Sequence, residues 1–298
     1  MNKNYDFLKY KNFFVTFSTF LTLASIILFL FKGFNFGVDF KGGTVIEIKS
    51  EKNIRVDEIR TSISKLNLNN YTVKEFGSSN EFAISLENKS NNNNFVNDIK
   101  NNLEKNLNQK ISIRKVETVG PKVGSELIKS AIYALLAGFV GIFIYLWIRF
   151  EWQFSVGGIV ALFHDTIITA GLFSLLGLEF DLTIVAALLT IIGYSINDTV
   201  IIYDRIRENL KKDSKTNLTV LINKSLNDTL SRTLKTSGAT LLSIIAVLLF
   251  GGQVLKGFAF AITFGIIFGT YSSIYVASPV VMFFNIKRDW SEKLDNTP

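Results

Sequence analysis

The sequence predicts an α-helical membrane protein with six transmembrane helices and one external α+β domain between the first and second helices. Three observations lead to this prediction. The 298 residues are 48% hydrophobic and 19% charged, whereas soluble proteins carry about 25% charged residues. Six apolar runs are close to the ~20 residues that cross a bilayer. Between the first two runs, charges and asparagine become frequent and no stretch is long enough to span.

The six predicted spans follow each other with one long interruption. The first comes after Lys9 and Lys11, and we predict an uncleaved helix. Its apolar core exceeds the ~7–15 residues of a signal peptide and ends without a small-residue cleavage site. A short glycine-rich turn, 251–257, joins the last two spans. The predicted ranges are 13–31, 127–148, 154–176, 182–203, 233–250 and 258–284.

The interrupting segment predicts a small domain with its own core. Strand-like alternation and helical spacing occur in the order β-α-β-β-α-β, which is the ferredoxin-like pattern. The corresponding segments are 44–49, 56–66, 71–76, 81–87, 95–107 and 111–119, with a turn at 77–80 and a polar loop at 90–94. The predicted organisation is therefore 1–34 (N-terminus and first helix), 35–124 (external domain), 125–286 (helices two to six) and 287–298 (tail).

The distribution of basic residues predicts that both termini are cytoplasmic and that the α+β domain is external. The segment 204–232 is rich in lysine and arginine, and the tail adds Lys287, Arg288 and Lys293. The short loop between the third and fourth spans carries Glu179 and Asp181 but no basic residue. Short loops with excess positive charge remain in the cytoplasm.

Several function classes lack their sequence signatures. Cysteine is absent and there is one histidine, so thiolate and multi-histidine metal sites are excluded and neither a metal nor a cofactor is expected. No phosphate-binding G-x-x-x-x-G-K-[ST] motif occurs, and basic residues are not interleaved with aromatic ones as in nucleic-acid-binding proteins. We therefore predict a protein that is not an enzyme and draws its energy from the membrane potential or the proton gradient.

Two carboxylates lie inside predicted spans. Asp165 follows His164 near the middle of the third span, and Asp198 follows Asn197 near the cytoplasmic end of the fourth. Both lie on faces of small residues spaced by four, which predicts that they point into protein. A charge buried in the bilayer costs ~2.5–3.5 kcal/mol and usually marks an ion path, a proton relay or a buried pair. For Asp198 we favour the proton role. For Asp165 both a packing role and a relay role remain open, and the role of His164 is also open.

The fifth span must begin near Arg232 to be long enough to cross, which brings this guanidinium to about the depth of Asp198. An aspartate that alternates between a dry site and an arginine can take up and release a proton. The candidate relay residues are therefore Asp198, Arg232, Asn197 and Asp165. In the last span, Gly265 and Gly269 belong to a stripe of small residues spaced by four and predict close helix contacts.

Five segments carry more specific motifs: 37–44 (GVDFKGGT), 119–127 (VGPKVGSEL), 185–209, 232–238 (RTLKTSG) and 273–279 (SIYVASP). Together they resemble the SecD/SecF family of protein-export subunits, relatives of the RND transporters, and among them the SecF type. The first two segments resemble the G-[IV]-D-F-x-G-G and V-G-P-x-x-G-x-E-L motifs of that family. The residues of the first two motifs are expected to be structural, with glycines that permit positive φ. They are Gly37, Asp39, Gly42, Gly43, Gly120, Pro121 and Gly124.

The resemblance implies a Sec translocon accessory subunit in the bacterial cytoplasmic (inner) membrane. With SecD, it would use the proton-motive force to draw a secreted polypeptide outward. In that family the matching aspartate and arginine, here Asp198 and Arg232, are assigned to proton passage, coupled to movement of the external domain. The implied partners are SecD, the SecYEG channel, YajC/YidC as further candidates, the translocating unfolded polypeptide and the lipid bilayer. Nucleic acid is not an expected partner. Two alternatives remain: a small-molecule exporter of the RND class and a purely structural assembly factor.

Overall fold

The computed structural model describes residues 5–66, 68, 71–75, 80–87, 93–213, 215–284 and 286. The described chain begins with a 3-10 turn (Phe7–Tyr10) that leads into α1 (Lys11–Phe31), the first apolar run. A short strand, β1 (Asn35–Phe36), and a one-turn helix, α2 (Val38–Lys41), follow. Gly42 and Gly43 then turn the chain at φ values of 79° and 152°. Glycine adopts such values without steric cost, as the sequence predicted.

An α+β domain comes next. Its elements are β2 (Gly43–Ser50), α3 (Val56–Ser64), β3 (Tyr71–Glu75), β4 (Glu81–Glu87), α4 (Asn93–Leu107) and β5 (Ile111–Val119). The strands form an antiparallel sheet in the order β3-β4-β2-β5, which confirms the ferredoxin-like prediction. Alternate strand residues such as Ile46 and Phe82 pack on Ile59 and Leu103 of the helices. The predicted turn at 77–80 and loop at 90–94 lie largely outside the described residues.

Five further spans complete the bundle. They are α5 (Pro121–Arg149), α6 (Trp152–Leu176), α7 (Leu182–Lys212) after a short strand β6 (Glu179–Phe180), and α8 (Leu218–Phe250). The last span comprises α9 (Gly252–Ser272), a π-helical turn (Ser273–Ala277) and α10 (Ser278–Phe283). With α1, these give six helices in the described part of the chain that are long and apolar enough to cross a membrane, as predicted. The helices α6 and α7 are the most buried of the six, so the interior of the bundle lies around them.

Some helix ends differ from the predicted ones. α5 begins at Pro121, directly after β5, because proline fits the first turn of a helix, where a backbone N–H has no partner. Most of the predicted loop 204–232 is helical, since α7 runs to Lys212 and α8 starts at Leu218. These extensions are stable because they bury Ile206, Leu210, Leu221 and Ile222 against each other and the neighbouring helices. The predicted tail, 287–298, lies outside the described residues.

The α+β domain is attached to the bundle both covalently and by packing. The chain connects them from α1 through β1 and from β5 into α5. In addition, β1 pairs in parallel with β6, which lies between α6 and α7, and β3 contacts α9. An ion pair of 2.6 Å between Lys74 of β3 and Glu179 of β6 reinforces this attachment. The base of the domain is therefore tied to the segment that enters α7.

Candidate functional site

Asp198 of α7 is buried inside the bundle, with 1% of its surface exposed. Its Oδ2 accepts a hydrogen bond of 3.1 Å from Ser237 of α8, and Ser237 Oγ lies 2.8 Å from Thr270 Oγ1 of α9. Its Oδ1 has no hydrogen-bond partner among the described residues. A buried charge with unused hydrogen-bonding capacity is costly, and proton uptake removes that cost. Asp198 therefore has the environment of a group that can gain and lose a proton.

Close contact between α7 and α9 places these groups together. A Cβ atom on Gly265 of α9 would lie 2.3 Å from Ile191 Cγ1, and one on Gly269 would lie 3.0 Å from Ser195 Cβ. Ile191 and Ser195 share the buried face of α7 with Asp198. The glycines of the last span thus let the two backbones approach until hydroxyls of α9 reach the carboxylates.

Asp165 of α6 is equally buried but has a full set of partners. Its Oδ2 accepts hydrogen bonds from Ser195 Oγ at 2.6 Å and from Ser272 Oγ at 2.8 Å. Its Oδ1 lies 2.9 Å from His164 Nδ1. Ser195 is on α7 and Ser272 is on α9, so Asp165 joins three helices. The Nε2 atom of His164 is buried without a hydrogen-bond partner among the described residues.

Arg232 and Asn197 lie outside this buried cluster. Arg232 is exposed on α8, one residue before the buried Thr233, and Asn197 is exposed on α7, one residue before Asp198. Consecutive residues of a helix point about 100° apart, so Arg232 and Asn197 face outward although Thr233 and Asp198 beside them are buried. Within the described residues, Arg232 and Asp198 form no ion pair within 4.0 Å. The structure therefore does not form the direct pair that their depth suggested.

The two glycine-containing motifs meet at the base of the α+β domain. A Cβ on Gly43 would lie 2.2 Å from Leu86 O, one on Gly124 would lie 2.5 Å from Phe40 O, and one on Gly42 would lie 2.9 Å from the backbone nitrogen of Pro121. A Cβ on Gly37 would lie 2.9 Å from Glu179 Oε1, whereas a Cβ on Gly120 would meet nothing within 4 Å. Asp39 Oδ2 accepts a hydrogen bond of 3.1 Å from Leu182 N–H at the start of α7.

Sequence reasoning did not assign the hydroxyl groups that hold the carboxylates, apart from noting Ser237 at the start of the fifth span. Ser195 lies three residues before Asp198, so it is on the same side of α7, and this spacing is a usable signal. Ser272 and Thr270 carry no comparable signal, because their role depends on the position of α9 between α6 and α8.

Two family models match the sequence. Residues 99–287 match the protein export membrane protein SecD/SecF, C-terminal family, and residues 27–54 match the SecD/SecF GG motif. The protein translocase subunit SecF of Rickettsia rickettsii is 43% identical over 293 residues, covering 98% of this chain and 95% of that protein. The protein of the same name from Cereibacter sphaeroides is 42% identical over 287 residues, covering 93% of this chain and 88% of that protein.

Solved structures show the same architecture. The crystal structure of SecDF, a translocon-associated membrane protein from Thermus thermophilus, matches with a TM-score of 0.82 and 38% identity over 95% of this chain. The crystal structure of SecDF in a super-membrane-facing form matches with a TM-score of 0.74 and the same identity and coverage. This chain spans 39% of the length of each of those chains. From its sequence, its membrane helices and its α+β domain, the chain belongs to the SecD/SecF family of protein export membrane proteins.

Proposed function

We propose that this protein is a non-enzymatic subunit of the bacterial protein export machinery, which works with SecD and uses the proton-motive force. Asp198 carries the proposal, because it is a buried carboxylate in a membrane-spanning helix, and one of its oxygens has no hydrogen-bond partner in the described part of the chain. Moving one charge through a potential of 100 mV supplies ~2.3 kcal/mol. The passage of a few protons can therefore supply the free energy for a conformational change. The name of the relatives, protein translocase subunit SecF, supports export as the process.

In the proposed relay, Asp198 takes up a proton at Oδ1 and releases it when a cation approaches. Ser237 stabilises the charged carboxylate from one side. Arg232 is the cation, and its side chain must turn from the exposed face of α8 toward Asp198 to form the pair. Asn197, the residue before Asp198, places an amide on the exposed face of α7. In the proposed relay this amide lies on the route by which the proton leaves the buried cluster. The fourth candidate, Asp165, has a different environment and is treated below.

Helix α7 connects the proton site to the external domain. It begins at Leu182, about 24 Å from Asp198 along the helix axis. Asp39 holds this first residue, and β6 immediately before it pairs with β1. We propose that a shift of α7 on proton uptake moves the base of the domain, since a helix transmits a displacement along its length.

The proposed location is the bacterial cytoplasmic membrane, with the α+β domain outside and both termini inside. The basic residues from Arg205 to Lys224 lie at or between the ends of α7 and α8 that are far from the domain. Arg205 pairs there with Asp228 at 2.8 Å and with Glu208 at 2.7 Å, and Arg149 pairs with Asp204 at 3.1 Å. Their excess of positive charge supports the proposal that this end faces the cytoplasm.

The exposed faces of α7 and α8 support SecD as the partner. Past its first turn, α7 exposes small or polar residues that repeat at spacings of four and three: Ala186, Thr190, Gly193 and Asn197. On α8 Arg232, Thr236, Ala239 and Ser243 are exposed together with apolar residues such as Leu234 and Leu242. Lipid offers no partner for an amide or a guanidinium, whereas packed helices do. We propose that SecD covers this face. Contacts with SecYEG, YajC/YidC and the translocating polypeptide rest on the family resemblance alone.

Crosslinking tests the SecD surface directly, because the chain contains no cysteine. We expect Gly193→Cys to form disulfides with single cysteines scanned along the membrane helices of SecD. Phe20→Cys on α1, where the side chain is 66% exposed, is the control and should not react. Crosslinks from Phe20 but not from Gly193 would place SecD on another face.

The experiment that tests the relay is secretion in cells whose only copy carries Asp198→Asn. We expect the variant to accumulate and to co-purify with SecD, while proton-motive-force-dependent release of secreted protein falls to the level of cells that lack the protein. The matched control is Glu208→Gln, a carboxylate on the same helix that is exposed and paired with Arg205 and Lys212. Normal export with Asp198→Asn would remove the relay and favour a structural assembly factor.

A further inference from the structure

The two buried carboxylates of the bundle differ in their hydrogen bonding. Asp165 has three hydrogen-bonding neighbours, and both of its oxygens are engaged. Asp198 accepts a hydrogen bond from Ser237 on Oδ2, and its Oδ1 has no hydrogen-bond partner within the described residues. From this difference we infer that Asp165 is a positioning residue, which holds the hydroxyl groups around Asp198 in place and does not itself carry the proton. The inference rests on the proposed function of Asp198.

Asp165 Oδ2 joins α7 and α9 at the level of Asp198. Ser195, one of its donors, is three residues before Asp198 on α7 and lies on the same face. Ser272, the other donor, is two residues after Thr270 on α9. Thr270 in turn lies 2.8 Å from Ser237, the residue that donates to Asp198. Side-chain hydrogen bonds therefore join Asp165 to Ser272 and Asp198, through Ser237, to Thr270, and the backbone of α9 connects Ser272 to Thr270.

Helix α9 lies between the two carboxylates. Residues two apart on a helix point about 200° apart, so Ser272 faces Asp165 while Thr270 faces Ser237 and Asp198. A rotation or slide of α9 moves both hydroxyl groups at once. Because Asp165 binds Ser272 on one side, it fixes the position of Thr270 on the other.

The helix needs such an anchor because its regular hydrogen bonding ends at this point. The π-helical turn Ser273–Ala277 follows Ser272 directly, and Ser278 Oγ donates to Ser273 O at 3.0 Å across it. A π-helical turn contains one residue more than the regular repeat and is common at functional sites. Because this turn interrupts the regular α-helical hydrogen bonds, it constrains the rotation and axial position of α9 less than an unbroken α-helix would. The hydrogen bond from Ser272 to Asp165 supplies a constraint at its boundary.

The contacts of Asp165 also explain why it is suited to this role. His164 Nδ1 holds Oδ1 from the same helix, and this imidazole is 4% exposed. The aromatic ring of Tyr271 lies 6.1 Å from the imidazole, on the α9 side. With two hydroxyl donors on Oδ2 and the imidazole on Oδ1, the carboxylate is fixed in one orientation, whereas a proton carrier must exchange partners.

Coupling between substitutions tests the inference in the complex with SecD. We expect Ser272→Ala and Thr270→Val each to lower proton-motive-force-driven release, and the double variant to be no worse than the more severe single one. Both substitutions act on the same arrangement around Asp198, so their effects are not independent. Ser272→Thr keeps the hydroxyl and is expected to restore release. Multiplied losses in the double variant would contradict a shared route of action.

Infrared spectroscopy of the purified complex provides a readout that does not depend on transport. The carboxyl band of Asp198 is identified by its loss in Asp198→Asn. We expect Ser272→Ala to shift this band, and Asp165→Asn to shift it without removing a second titrating band. A separate titrating band that disappears in Asp165→Asn would make Asp165 a proton carrier and overturn the inference. Normal secretion with Asp198→Asn would instead overturn the proposed function and leave the positions of these bands unaffected.

Discussion

Replacing Gly43 by alanine is expected to destabilise the α+β domain by about 3–5 kcal/mol. The added Cβ would lie 2.2 Å from Leu86 O, and the backbone φ of 152° is one that other residues rarely adopt. The obstructing atom belongs to the backbone of β4, which pairs with β2 from Gly43 onward. The clash therefore cannot be relieved by rotation of a side chain and must disrupt the sheet at the point where the domain joins the bundle.

Gly120→Ala is the matched control for this prediction. Gly120 has an ordinary φ of −71°, and a Cβ there meets nothing within 4 Å, so its effect should stay within about 1 kcal/mol. Thermal unfolding of the full-length protein in detergent, combined with limited proteolysis of the domain, compares the two variants. Equal stability of both would show that the backbone at Gly43 can relax and that the close contact is not required.

The second large effect is expected from Gly265→Ala, at the contact between α7 and α9. The added methyl group would lie 2.3 Å from Ile191 Cγ1 and 2.9 Å from its Cγ2, so the branched side chain cannot avoid it by a small rotation. Overpacking of this kind costs about 1–3 kcal/mol. Separation of the helices also withdraws the hydroxyls of α9 from the carboxylates, so proton-driven export should fall together with thermal stability.

Gly257→Ala provides the comparison within the same stripe of small residues. A Cβ on Gly257 would approach only Ile184 Cδ1, at 3.3 Å, the end of a flexible side chain. We expect this variant to retain both its thermal stability and its export activity. If the two variants behave alike, the stripe acts as a uniform packing surface and Gly265 has no special role.

Hydropathy and alternation were sufficient to predict the six helices and the ferredoxin-like domain, because burial in lipid and in a half-covered sheet leaves strong periodic signals. The segment 204–232 was harder to interpret, since its many charges are typical of a loop. In the structure some of those charges are paired, between helices as in Arg205 with Asp228 or within α7 as in Lys212 with Glu208, while Ile206 and Leu221 pack in the core. Charge density alone does not distinguish a solvated loop from a helical extension held by ion pairs.

The candidate site was only partly predictable. Asp198 was recognisable because a carboxylate surrounded by apolar residues is expensive and therefore rare. The direction in which Arg232 points depends on the rotation of α8 about its axis, which the sequence does not give. Thr233 faces the buried cluster, whereas Arg232, one residue earlier, faces outward. The hydroxyl contacts depended on which helices are neighbours, and Ser and Thr are too common in membrane helices to reveal that by themselves.

The pairing of β1 with β6 has a mechanical consequence for the α+β domain. The chain enters the domain from α1 through β1, so the ladder of Asn35–Phe36 with Glu179–Phe180 fixes this connection to the segment between α6 and α7. The Lys74–Glu179 ion pair adds a link from β3 itself to the same segment. A free swing of the domain about its two chain connections therefore requires the ladder and the ion pair to open. While both are closed, a tilt of the corner between α6 and α7 carries the base of the domain with it.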